Sequence, residues 1–202
     1  MAESPISLDV KGDIKQVTRH LTRVQKKQIP FATSRATQNT AKKIVPVLSK
    51  ATTRFLDRPT RFTQKAFRAI QNRSDRFRAF VIVFDIQAEY LNLQIRGGIG
   101  RPKRKTLIIP GKKLKLDRFG NIGRRKRSAL FNRPNAFVGT FNGTTGLWEQ
   151  NRQGGIDLLL LFKRSARYKK RFPFFKIADK EARRIFPRQF RIDLTKALRT
   201  AR

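Results

Sequence analysis

The residues in this chain best equipped to do chemistry are cations. Arg101, Lys103, Arg104 and Lys105, then Lys112, Lys113 and Lys115, then the run Arg124, Arg125, Lys126 and Arg127 concentrate positive side chains in a short stretch. Residues 96–127 hold thirteen lysines and arginines and a single acidic residue, Asp117. That density suits contact with phosphates, because each phosphate neutralised releases condensed counterions and steepens the salt dependence of binding. Acidic side chains on a neighbouring subunit would be matched equally well. Nothing in the pattern reads bases, since no helix-turn-helix, zinc-finger or aromatic RNA-recognition signature is present. The eleven named cations are therefore the expected contact set for nucleic acid or a protein partner, without sequence specificity.

Catalysis has little to draw on. The one histidine, His20, sits among Thr18, Arg19, Thr22 and Arg23, with no carboxylate spaced to orient it as a general base. Asp85 and Glu89 are the only acidic pair one helical turn apart inside an apolar unit, and Asp85 is better placed as a helix cap. Metal binding by that pair would need further oxygen ligands that the flanking sequence does not offer. Gly97-Gly98-Ile99-Gly100 with Arg101 and Lys103 has some likeness to a phosphate-cradling loop. No Gly-Lys-Ser/Thr ending follows, however, and these glycines come after a helix instead of opening one. The expectation is a protein with no catalytic residue, metal or cofactor, and no enzymatic activity.

The composition sets the frame for these cations. The 202 residues carry 48 lysines and arginines against 13 acidic residues, a formal charge of +35. An isolated monomer would repel itself, so the charge implies a polyanionic or acidic partner. The chain is not a disordered tail, because 39% of its residues are hydrophobic and 17 are phenylalanine. With no cysteine it has no disulfide framework and no thiolate site, in keeping with a reducing compartment. Met1 to Val10 lacks the charged-then-apolar pattern of an export leader, and apolar runs such as Leu158 to Phe162 are too short to span a bilayer. One core, a single domain over residues 1–202 and no membrane contact are expected.

The elements that must hold the cations can be sketched from periodicity. Ile6, Leu8 and Val10 alternate as a strand does, and Ile14, Val17, Leu21 and Val24 follow at helical spacing. The Ile29-Pro30 step should break that helix, with Pro30 opening a second one whose stripe is Ala41, Ile44, Leu48, Ala51 and Phe55 and which Pro46 bends. A short helix is expected around Thr63 to Ile70. Phe77 to Phe84 reads as a buried strand, followed by a helix with Ile86, Tyr90 and Leu93 on one face and a glycine stop at Gly97-Gly98. Residues 96–127 suggest a basic arm or hairpin insertion, with Leu107 to Pro110 and Lys112 to Leu116 as its strands and Arg118 to Asn121 as its turn. Strands follow at Ala136 to Phe141, Gly146 to Glu149 and Ile156 to Phe162, the first two joined through Asn142-Gly143. Leu158 to Leu161 does not alternate, so both its faces should be covered, by the long N-terminal helix and a neighbouring subunit. Ala178, Ala182, Ile185, Phe190, Leu194 and Leu198 mark a C-terminal helix within residues 176–202, interrupted at Pro187. The fold class expected is α+β: a long N-terminal helix and a C-terminal helix packed on a small antiparallel sheet, with an extended basic arm.

Several of these stretches also look familiar together. Ile29 to Ala36, Asn39 to Lys42, Ala88-Glu89-Tyr90-Leu91 with Gln94, and Gly97-Gly98 resemble the minor tail protein Z, or tail-completion, family of tailed bacteriophages. The likeness continues through Arg101-Pro102-Lys103, Leu107 to Pro110, Gly139 and Gly146-Leu147-Trp148, covering roughly residues 29–163. The resemblance implies a virion structural subunit at the head-tail junction, a neck or connector protein. It would form a homo-oligomeric ring and meet portal, connector or tail-tube proteins and, non-specifically, genomic DNA. The basic segment 96–127 and the C-terminal helix depart from the family pattern. Extreme basicity without cysteine also fits a ribosomal or nucleoid-type nucleic-acid-binding protein.

Overall fold

The computed structural model describes residues 7–10, 23–102 and 106–200. Its elements run β1 (Ser7–Val10), α1 (Arg23–Phe55), α2 (Arg61–Gln64), β2 (Phe67–Gln71), β3 (Ala79–Val83), α3 (Asp85–Arg96), β4 (Gly98–Gly100), β5 (Leu107–Pro110), α4 (Arg124–Phe131), β6 (Ala136–Phe141), β7 (Thr144–Gln150), β8 (Ile156–Lys163), β9 (Ala166–Tyr168) and α5 (Phe174–Arg199). The class is α+β, with long helices near both ends and small antiparallel sheets between them. Where one core was expected there are two compact units, Met1–Ile95 with Arg171–Arg202, and Arg96–Lys170. Each has its own buried apolar cluster.

In the first unit β3 is the central strand of an antiparallel sheet ordered β1-β3-β2, with Val81 opposite Leu8 on one side and Ala69 on the other. Its alternation buries Ala79, Val81 and Val83, which share a core with Ile44 and Leu48 of α1, Leu91 and Ile95 of α3, and Ala178 of α5. The stripe along α1 is as its spacing predicts: Ala41, Ile44 and Leu48 are fully buried, with Ala51 and Phe55 packed at the margin. Leu48→Ala should therefore cost about 2–5 kcal/mol of stability in urea unfolding, and a change near zero would contradict its burial.

The break expected at Ile29-Pro30 does not occur, because α1 runs through both Pro30 and Pro46. Thr33 Oγ1 donates to the Ile29 carbonyl at 2.8 Å and Thr37 Oγ1 to the Thr33 carbonyl at 2.9 Å, tying the turn before the proline to those after it. Burial of Ala32, Ala36 and the hydrogen-bonded Thr33 and Thr37 on the same stretch offsets the roughly 3 kcal/mol that an interior proline costs a helix. The candidate helix beginning at Ile14 lies mostly outside the described residues. Past Phe55 the chain turns at Arg58, φ 44°. The Arg58 guanidinium holds the exposed Asp57 carboxyl below the ordinary carboxylate range, by hydrogen bonding first and charge second.

Two further expectations in this unit are corrected. The helix around Thr63 to Ile70 is a single turn, α2, capped by Thr60 Oγ1, which accepts the Thr63 N–H at 3.2 Å. From Phe67 the chain is strand, since pairing with β3 buries Phe67 and exposes Arg68 and Ile70, a period of two. On α3 the core face is Gln87, Leu91 and Ile95, one position away from the expected stripe, and Ile86 and Tyr90 lie outside. Gln87 can occupy an inward site because its Nε2 donates to the Phe62 carbonyl at 3.4 Å. The glycine stop holds, with φ of 75° at Gly97 and 119° at Gly98.

The C-terminal helix forms and passes Pro187 without interruption. Its buried positions are Phe174, Ala178, Gln189, Asp193 and Ala197, whereas Leu198 of the expected stripe is exposed. The inward polar pair is possible because α1 supplies partners. Asn39 Nδ2 and Gln189 Nε2 both donate to Asp193 Oδ2, at 3.0 and 2.8 Å, and Lys43 Nζ donates to Gln189 Oε1 at 2.6 Å.

The second unit is an insertion between α3 and α5. Its ends pair as β4 and β9, Gly98 opposite Tyr168 and Gly100 opposite Ala166. Its main sheet is antiparallel and ordered β5-β8-β7-β6. The expected strands are β6, β7 and β8, and the turn between β6 and β7 has φ of 47° at Asn142 and 71° at Gly143, as a tight hairpin requires. The predicted arm is not an arm. β5 forms, but it pairs with β8 and not with residues 112–116, because Leu114 instead buries among Leu130, Leu147, Leu159 and Leu160. Gly111 permits the close approach this needs: a Cβ there would lie 1.9 Å from the Leu158 carbonyl oxygen.

The leucine run also finds its cover inside this unit. In the ladder Leu147 opposes Leu160 and Trp148 opposes Leu158, so Leu159 is an extra residue at a bulge. The bulge lets consecutive Leu159 and Leu160 both bury against Leu114, Leu130 and Leu147, which accounts for the missing alternation.

Candidate nucleic-acid or partner interface

The basic run Arg124 to Arg127 is the first turn of α4. It begins after Gly123, which has no side chain to cap the free N–H groups, and no acidic residue stands in the first turn. Four cations thus sit where the helix dipole is already positive, an arrangement that destabilises the bare helix and favours a bound anion. What holds α4 in place is Leu130, 1% exposed in the core of the inserted unit. All four cationic side chains are exposed.

The fold brings part of the second basic group to the third. Lys112, Lys113 and Lys115 are exposed on the turn that Leu114 anchors, and Lys126 Nζ donates to the Lys115 carbonyl. Arg101 is exposed just after β4, while Lys103, Arg104 and Lys105 lie outside the described residues. Residues 96–170 contain twenty lysines and arginines against three acidic residues, and each acid is engaged. Asp157 pairs with Lys113 Nζ at 2.7 Å and Glu149 with Arg133 at 2.8 Å. Asp117 accepts the N–H groups of Phe119 and Asn121 at 2.9 and 2.8 Å, closing the expected turn. Of the predicted set only Lys113 has a carboxylate partner among the described residues of its unit.

Sequence reasoning missed an aromatic group on this unit. Phe137 opposes Trp148 across the hairpin, and Phe141 lies edge-on to both, 5.8 Å from Phe137 and 5.3 Å from Trp148. Trp148 Nε1 donates to the Gly139 carbonyl at 3.1 Å, so its polar atom is satisfied while Phe137 and Phe141 stay more than one-third exposed. The signal was available: Phe137 and Phe141 are four apart on a strand and therefore share a face.

Two surfaces of the first unit were likewise not anticipated. Between α1 and α5 lies a cleft of about 380 Å³ with Val47, Ile185 and Ile192 as apolar lining and Lys43, Arg184 and Arg188 as cations. On α3 and α2 an apolar patch stands open, with Ile86 67%, Phe62 53% and Tyr90 39% exposed. Tyr90 is fixed there by a 3.0 Å hydrogen bond between its hydroxyl and Thr63 Oγ1. The exposed acids Asp85 and Glu89 flank this patch. The cleft residues come from helices about 140 positions apart in sequence, and no local periodicity announces such a pairing.

Among the described residues no three acidic or histidine side chains converge to hold a metal ion, and no helix is long and apolar enough to cross a membrane. His20 lies outside the described residues. Comparison with protein-family models, curated proteins and solved structures finds no match to this chain.

Proposed function

We propose that the chain is a non-enzymatic structural subunit of a tailed-phage virion, acting at the head-tail junction as a tail-completion, neck or connector protein. In this reading it forms a ring with its own copies and contacts portal, connector or tail-tube proteins, and its inserted unit meets genomic DNA or acidic neighbouring subunits. The observation that carries the reading is the first turn of α4: four exposed cations stacked on the positive end of a helix, in a unit where twenty basic residues face three acids. Such a surface stores unfavourable charge until a polyanion or acidic surface covers it. The sequence likeness over residues 29–163 supplies the phage context, and the open apolar patches supply surface for neighbours.

A ribosomal or nucleoid-type protein would share the charge. The two are separated by purification: recovery with DNA-filled particles supports the virion reading, whereas co-sedimentation with ribosomal subunits and release by salt would replace it. Incubation with plasmid and magnesium should give no cleavage, and nicking that tracks the purified protein would overturn the non-enzymatic assignment.

A further inference from the structure

We infer that the outward face of α5 is a second phosphate-contact surface, one that lies along duplex DNA through Lys176, Lys180, Arg188 and Arg191. This surface belongs to the first unit, and assigning it rests on the reading in which the chain contacts genomic DNA.

At about 100° per residue, Lys176, Lys180, Arg183, Arg184, Arg188 and Arg191 fall within an arc of about 140° on α5. All six are exposed. The buried positions Phe174, Ala178, Gln189, Asp193 and Ala197 occupy the opposite side of the helix, so the cations point away from the core. Two of the six are already engaged within their own helix, Arg183 with Asp179 at 3.0 Å and Arg184 with Glu181 at 2.6 Å. Lys176, Lys180, Arg188 and Arg191 have no carboxylate at ion-pair distance among the described residues. These four span about 22 Å of helix axis at about 1.5 Å per residue, the rise of about six base pairs of B-DNA. A protein partner fits this face less well. Protein interfaces are centred on buried apolar and aromatic side chains, and from Lys176 to Arg191 no large apolar side chain is exposed. Interfaces with DNA are more polar and much more positive, which is the composition of this stripe. Contacts of lysine and arginine with phosphate fix the path of the duplex without reading its bases.

The test measures binding of the full chain, freed of nucleic acid by nuclease, to duplex DNA of mixed sequence across a salt series. With Lys176, Lys180, Arg188 and Arg191 all replaced by glutamine, the slope of log affinity against log salt should fall by about 3 to 4. Between about 50 and 200 mM salt the parent chain should then lose about a hundredfold more affinity than the variant. Circular dichroism should be unchanged, because the four side chains lie opposite the buried side of α5. A control that removes the same charge from the exposed Lys26, Lys27, Arg73 and Arg76 should keep a slope near the parent's. Equal falls in the two variants would mean that net charge alone is bound, and the assignment to α5 would be lost. In the parent chain, bound duplex should also shield Lys176 and Lys180 from acetylation, and undiminished modification of both would contradict the contact. A variant that binds DNA as the parent does and fails only to join particles would overturn it too, and would give the face to an acidic protein. A parent chain that binds no duplex at any salt would remove the DNA reading itself, an outcome distinct from a parent that binds through the α4 turn and not through α5.

Discussion

Phe172→Ala is expected to lower the stability of the α1–α5 unit by about 3–5 kcal/mol, among the largest effects a single truncation in this chain can have. Phe172 is fully buried, with ring centroids 6.3 Å from Phe55, 5.9 Å from Phe67 and 6.4 Å from Phe174. It therefore joins the end of α1, the sheet and the start of α5. Its position also depends on the backbone, since the N–H groups of Arg171 and Phe172 both donate to the Gln94 carbonyl, at 2.8 and 2.9 Å. Truncation would leave a cavity where these elements meet, and tilted aromatic contacts would be lost with it. Urea unfolding followed by the helical circular dichroism signal measures the effect, and a loss under about 1 kcal/mol would contradict the placement of this ring in the core.

Replacing Arg124, Arg125, Lys126 and Arg127 together by glutamine should move stability and binding in opposite directions. Removing four cations from the first turn of α4 relieves their conflict with the helix dipole, so the fold should be unchanged or slightly more stable. Binding to duplex DNA should weaken on the order of a hundredfold or more at low salt, and the slope of log affinity against log salt should fall by about 3 to 4. Equal affinity with an unchanged slope would show that this turn does not meet phosphates. Loss of the folded state would show that the run is structural.

What could be read from the residues in advance was local burial. The α1 stripe, the alternating β3 and the Asn142-Gly143 hairpin are each specified within one element, by side chains whose period matches the element's own. The misreadings share a cause, which is that long-range partners decided them. Phe67 to Gln71 is strand because β3 offers a ladder, and Gln189 and Asp193 turn inward because Asn39 and Lys43 of a distant helix satisfy them. Segment 112–116 looked like half of a hairpin on its lysine-leucine alternation, yet Leu114 finds a core built from β7, β8 and α4. At the candidate site the cations themselves were legible as a charge density. Their mounting on a helix N-terminus was not, because a run of Arg and Lys carries no apolar period of its own. Only Leu130 at its far end shows which face of α4 is buried.

In the function proposed above, this protein is a multi-copy structural ring at the head-tail junction. The most direct measurement is a reconstruction of purified, DNA-filled particles in which the chain is located and its copies are counted. The expected result is a closed ring between portal and tail, with neighbouring copies in contact. Copies dispersed through the capsid interior, or a single copy per particle, would contradict it.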